Sequence, residues 1–258
     1  MKLAGGEKIT GEDENISQTI YLLTKDLDFA GVNFERQKNS FTGLFNGNGH
    51  KISNITYSKN EANISVFYKV NGGTVENVIF DNIKLDAGEN NKVGLVSECD
   101  GGYFHNIALT NISVTTRGAR AGGLIGQINV GTPTYISEVS IINDIPERSD
   151  TEPEYQIKGG KERTGGLVGF SQANSGIASG EIKVYISDCY IHSAITSGYE
   201  LGGVYGTYDC GNNPNVDYML RIENCIYDGR IEATGSKTFM GGMLGYQKGA
   251  YSQMYINS

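Results

Sequence analysis

The chain has 258 residues and a net charge of 21 − 29 = −8, and 36 of its residues, about 14%, are glycine. Glycine at roughly twice its usual share speaks against a helical bundle, where each interior glycine costs about 1 kcal/mol. The glycines do not recur every third residue, which excludes collagen. An acidic chain forgoes the counterion release that dominates nucleic-acid binding, and no run of about 18 apolar residues is present to span a membrane.

Residues 1–19 read as a polar lead-in without the apolar core of a signal peptide, so the chain is either intracellular or a secreted one without its leader. From residue 20 onward internal repetition decides the fold. Four copies of one pentapeptide stand out: Gly122-Gly123-Leu124-Ile125-Gly126, Gly165-Gly166-Leu167-Val168-Gly169, Gly202-Gly203-Val204-Tyr205-Gly206 and Gly241-Gly242-Met243-Leu244-Gly245. Degenerate copies precede them at Val93-Gly94-Leu95-Val96 and Ile64-Ser65-Val66-Phe67, with Thr42-Gly43-Leu44-Phe45 as the expected first.

A second element follows each copy: Ile52-Ser53-Asn54-Ile55, Val75-Glu76-Asn77-Val78, Phe104-His105-Asn106-Ile107, Ile136-Ser137-Glu138-Val139, Ile186-Ser187-Asp188-Cys189 and Ile222-Glu223-Asn224-Cys225. With the Asn column as position zero, −2, +1 and +3 are apolar and −1 is polar in every copy. Alternation up to −1 is a strand signal, and an inward residue at +1 breaks the phase, so the chain bends at zero. Asparagine tolerates the left-handed backbone of such a bend. A further corner is expected five residues on, at Asn82, Asn111, Asn143, Ser193 and Gly229. Short strands, fixed corners and repeated column identity describe a parallel β-solenoid over residues 20–258, each coil pairing with the next at about 4.8 Å.

These residues resemble the GLUG-motif repeats of bacterial surface and secreted proteins, some of them found within immunoglobulin-A-cleaving metallopeptidases. The resemblance rests on the Gly-Leu-(Val/Ile)-Gly copies, on the entry segment Phe41 to Asn54, and on the strand Tyr21 to Phe29 that leads into it. It implies an all-β, right-handed parallel β-helix, pectin-lyase-like, of about six to seven rungs. It does not imply a reaction.

From the Leu column to the Asn column the distances are 10, 11, 11, 14, 21 and 20 residues, so the loops 170–181, 207–217 and 246–252 lengthen together on one side. Loops gathered on one face are where repeat proteins build binding surfaces. Tyrosine is dense there, and Tyr208, Tyr218, Tyr246 and Tyr251 are the expected ligand-binding residues. Tyr205 sits inside a glycine motif and reads as core. The three histidines, His50, His105 and His192, fall in different columns on alternate rungs, which gives no metal site and no nucleophile–base arrangement. The weak catalytic candidates are Glu138 and Asp188, which replace asparagine on successive rungs and bring two carboxylates about 5 Å apart. Cys189 and Cys225 share an inward column and read as small buried thiols. No cofactor is expected.

Tyr255-Ile256-Asn257-Ser258 repeats the opening of a rung, so further repeats, a domain or another chain are expected against that end. The sequence reads best as a non-catalytic, secreted or cell-surface repeat module for adhesion or for binding a glycan or protein on the long-loop face. A polysaccharide-degrading β-helix enzyme and a substrate-positioning region of a secreted peptidase are the alternatives.

Overall fold

The computed structural model describes residues 19–89, 92–129, 131–146, 152–172, 179–211, 213–236, 238–249 and 252–257. Every regular element among them is a β-strand, and every strand pairing is parallel. The strands form three sheets of 15, 7 and 6 members whose neighbours are successive coils of the chain, an arrangement that fits a parallel β-helix. Ile107 lies beside Val78 on one side and Val139 on the other, so residues that share a column are neighbours along the stack. The inward columns merge into one continuous apolar core, from Leu23 and Phe29 to Leu220 and Ile222.

The largest sheet wraps around both asparagine corners. Gly73–Asp86 and Gly102–Thr115 are each 14 residues long and pair over nearly their whole length, turning twice without breaking the ladder. The turns fall at Asn77 and Asn82 in one strand and at Asn106 and Asn111 in the next, all with φ between 50° and 54°. Glu138, Asp188 and Asn224 continue the first corner with φ of 53°, 55° and 52°. Asparagine holds this left-handed backbone at lower cost than other non-glycine residues. Its amide also reaches the next coil: Asn106 Nδ2 donates to Asn77 Oδ1 at 2.9 Å and Asn82 Nδ2 to Asn54 Oδ1 at 2.7 Å.

That last bond corrects the register expected for the first coil. Ile52 pairs with Phe80 and Ile55 with Ile83, so Asn54 belongs to the second corner, above Asn82, and not above Asn77. Likewise Leu44 pairs with Thr74, which removes Thr42-Gly43-Leu44-Phe45 from the glycine-motif column. The cause is a degenerate signal. Val75-Glu76-Asn77-Val78 and Phe80-Asp81-Asn82-Ile83 carry the same apolar–polar–Asn–apolar pattern, so one Asn in the first coil matches either corner. The first corner of that coil is made instead by the insertion Gly47-Asn48-Gly49-His50, with φ of 52° at Asn48 and 77° at Gly49.

The glycine motif is the arch between the other two sheets, for example between Arg120–Gly122 and Ile125–Ile128. A Cβ on Gly122, Gly165 or Gly202 would overlap the carbonyl oxygen three residues ahead, and one on Gly123, Gly166 or Gly203 would overlap the carbonyl of the equivalent glycine in the next coil. The motif is therefore a requirement of backbone packed on backbone.

Side chains flanking the arch close it in pairs. Asn63 and Lys92 each reach Glu98 Oε1 at 2.8 Å, Arg120 donates to Gln127 Oε1 at 2.5 Å, and the Arg163 guanidinium lies 4.2 Å over Phe170. Burial raises the Glu98 carboxyl, but the Lys92 ammonium and the Asn63 and Asn129 amides more than offset it and hold it below its ordinary value of 4.5. A carboxyl lowered on folding adds stability above its unfolded value and loses it as pH falls through its folded one. Glu98→Gln is therefore expected to melt below the wild type at pH 7, with the gap closing below about pH 4; thermal melts across that range measure it.

The segment 144–161 folds back over earlier coils. Among its described residues, Tyr155 donates to Asn82 Oδ1 at 3.2 Å and Glu154 pairs with Lys84 at 2.9 Å. Asn143, expected at the second corner, is not among the residues with positive φ, unlike Asn82 and Asn111; it is buried and its amide pairs with the backbone of Ile112. Asn143 Nδ2 donates to Ile112 O at 3.0 Å and to Ser193 Oγ at 2.9 Å, while its Oδ1 accepts from Ile112 N at 2.8 Å.

Candidate functional site

The face that precedes the first corner carries a stripe of outward side chains in position −3: Thr74, Tyr103, Tyr135, Tyr185, Arg221 and Tyr255, paired residue by residue along the stack. Strand alternation places them outside, because their neighbours Phe104, Ile136, Ile186 and Ile222 are buried. Parallel in-register stacking then lays three rings over one another. Tyr103 and Tyr135 are 4.8 Å apart with planes 7° from parallel, and Tyr135 and Tyr185 are 4.9 Å apart at 9°. Tyr103 is 52% exposed and Tyr255 57%. Burial and the flanking phenols push the Tyr135 hydroxyl above its ordinary value, so it is a protonated donor at neutral pH.

Position −1 runs beside it: Glu76, His105, Ser137, Ser187, Glu223 and Asn257. His105 Nδ1 lies 2.9 Å from Ser137 Oγ. The ion pair of Arg221 and Glu223 at 2.7 Å crosses from one column to the other and closes the lane between them. The long-loop corner borders this same face: strands Gly180–Ser187 and Val216–Glu223 begin at it, and Lys183 there bridges Glu181 at 2.8 Å and Asp217 at 2.7 Å. Those two carboxylates raise the Lys183 ammonium further above its usual range.

The tyrosines expected to bind ligand distribute otherwise. Tyr208 and Tyr218 are fully buried, which corrects their assignment to a contact surface. Both lie on inward columns, Tyr208 level with Ser171 and Tyr218 with Ile182, and Tyr208 donates across the interior to Ile182 O at 2.8 Å. Tyr205, also fully buried, packs edge-on against Tyr208 at 6.0 Å. Tyr246 is half-buried and stacks on Phe239 at 4.5 Å at the mouth of the last arch. Tyr251 lies outside the described residues.

Glu138 stands directly over Asp188 on the next coil, since Ser137 pairs with Ser187 and Ser140 with Tyr190. Both are exposed corners, and Asp188 Oδ1 accepts from Asn224 Nδ2 at 3.3 Å. Glutamate in a left-handed corner carries about 1–2 kcal/mol of strain. Glu138→Asn is therefore expected to stabilise the fold by about 0.5–1 kcal/mol, read from the midpoint of chemical denaturation. The histidines face separate partners: His50 Nδ1 contacts Asp26 at 3.1 Å, His105 contacts Ser137, and His192 contacts Asp228 at 3.5 Å. Among the described residues no three His, Cys, Asp or Glu side chains gather as a metal site would require. Cys189 and Cys225 are buried free thiols in one column, each donating back to its own strand, to Ser187 O and Glu223 O.

No family model matches the chain. Its fold is similar to the crystal structure of a "putative immunoglobulin A1 protease" from Bacteroides ovatus, with a TM-score of 0.61, 16% identity, and coverage of 93% of this chain and 68% of that one. The likeness is one of fold. Over 138 residues, 47% of this chain, it is 30% identical to Halomucin of Haloquadratum walsbyi (strain DSM 16790 / HBSQ001), and this match spans 2% of that protein. No helix among the described residues is long and apolar enough to cross a membrane.

Proposed function

We propose that the chain is a non-catalytic binding module of an extracellular protein, secreted or displayed on a cell surface, and that its contact surface is the tyrosine-bearing face. The observation that carries this reading is the in-register stripe Tyr103, Tyr135 and Tyr185, kept outside on three successive coils. A fold that needs these positions only for solubility would be served by Ser, Thr or Lys, whereas exposed aromatic area is typical of contact surfaces. In this proposal residues 20–258 form a single right-handed β-helix of six to seven rungs, of the GLUG type, with further repeats or a partner against its last coil. The fold shared with the Bacteroides ovatus protein and the sequence shared with a protein named as a mucin support an extracellular setting. An array of glycans and extracellular proteins tests it: wild type is expected to bind one class, and Tyr135→Ser/Tyr185→Ser to lose that binding while keeping its melting temperature within a few degrees.

The stacked carboxylates favour one other reading. Glu138 and Asp188 are one coil apart, about 4.8 Å at the backbone, near the separation of about 5–5.5 Å used by retaining glycosidases. Release of reducing sugar by wild type, abolished in Glu138→Gln, would establish the enzyme. The third reading, a region that positions substrate for a secreted peptidase, rests on the fold likeness alone.

A further inference from the structure

The stacked rings restrict what this face can hold. Each inner ring face of Tyr103, Tyr135 and Tyr185 is covered by its neighbour at 4.8–4.9 Å, so the stripe offers ring edges and hydroxyls instead of open platforms. A ligand must therefore be read by hydrogen bonds repeated once per coil. Beside the stripe, two residues along the strand and about 7 Å away, run the shorter donors and acceptors His105, Ser137 and Ser187. Together the two columns make a straight lane along the solenoid axis, three coils long, stopped by the Arg221–Glu223 pair.

We infer that this lane binds an extended, neutral, β-linked glycan, one sugar unit per coil, with the phenols of Tyr103, Tyr135 and Tyr185 and the hydroxyls of Ser137 and Ser187 bonding successive units. This rests on the proposal above that the tyrosine face is the contact surface, and names its ligand. The repeat decides the polymer. The coils rise by about 4.8 Å, close to the length one pyranose adds to an extended β-linked chain. A peptide strand advances about 3.3 Å per residue and polyproline about 3.1 Å, so neither places one residue on every coil. Charge decides the sugar: the exposed carboxylates of Glu138 and Asp188 and the net charge of −8 repel uronate and sulfate groups, while phenols and serine hydroxyls both donate to and accept from neutral hydroxyls.

The test is calorimetric titration with cello-, xylo-, manno- and chito-oligosaccharides of two to six units, with maltotetraose as a curled α-linked control. Affinity for at least one β-linked series is expected to rise up to three or four units and then level off. Tyr135→Phe and Tyr185→Phe keep the ring stack and the melting temperature but remove one hydroxyl each, and each is expected to weaken binding about three- to tenfold. No binding of any β-linked series, equal binding of maltotetraose, or affinity unchanged in both Phe variants would each overturn the inference. If a protein on the array binds and is lost in the Tyr135→Ser/Tyr185→Ser variant while every glycan fails, the ligand class is wrong and the contact face stands. If no ligand responds to these tyrosines, both fall.

Discussion

Gly166→Val is expected to abolish soluble expression of the folded chain, a loss on the order of 4 kcal/mol or more. The new Cβ would overlap the carbonyl oxygen of Gly203 and lie 2.9 Å from Ile191 Cγ2. Neither contact can be relieved by rotating a side chain, because the first is backbone in the next coil and the second is packed in the core. Gly166 is not among the glycines with positive φ, so the loss is steric and not conformational. Gly242 supplies the control. It holds the same place in the last motif, yet a Cβ there meets nothing within 4 Å. Gly242→Val is expected to change stability by less than about 0.5 kcal/mol. Equal damage from both substitutions, by denaturant melts or soluble yield, would show that the glycines serve chain flexibility instead of coil contact.

Asn143→Ala is expected to cost about 3 kcal/mol. The chain leaves the stack after Ile142 and resumes the pairing only with Ile157–Lys158 at Val114 and Thr115, and in the gap between the Asn143 amide supplies one acceptor and one donor to Ile112. Removal strands a buried N–H and a buried C=O, each worth about 1–3 kcal/mol unpaired. Asn143→Asp retains the acceptor for Ile112 N but loses the donor, and is expected to fall between alanine and wild type. Equilibrium unfolding of the three proteins orders them; alanine equal to wild type would mean that water replaces the amide.

The architecture was legible because vertical stacking makes columns in the sequence into neighbours in space: Ile107 does stand between Val78 and Val139, and Glu138 and Asp188 do adopt the left-handed corner their column predicts. Column logic fails where two columns share one pattern, as at Asn54, whose flanking residues fit either corner. Tyrosine density near the long loops says nothing about which way alternation turns a ring, and Tyr208 and Tyr218 both point inward. Tyr103, Tyr135 and Tyr185 lie at position −3, one step outside the aligned segment, and a strand alternating inward at −2 already turns −3 to the surface. Asn143 was not legible at all: nothing in the local sequence tells a corner asparagine from one whose amide completes a neighbouring ladder.

The strap formed by Glu154 and Tyr155 has a mechanical consequence. It leaves the chain after the coil of Glu138 and fastens to Asn82 and Lys84, some 70 residues earlier, bypassing the turn of chain that carries Asn111. A stack pulled from its two ends should peel turn by turn, since each layer grips only its neighbours. Here the strap staples non-adjacent layers, so under force the segment from Asn82 to Tyr155 should release in one step, as a knot within an otherwise unravelling thread.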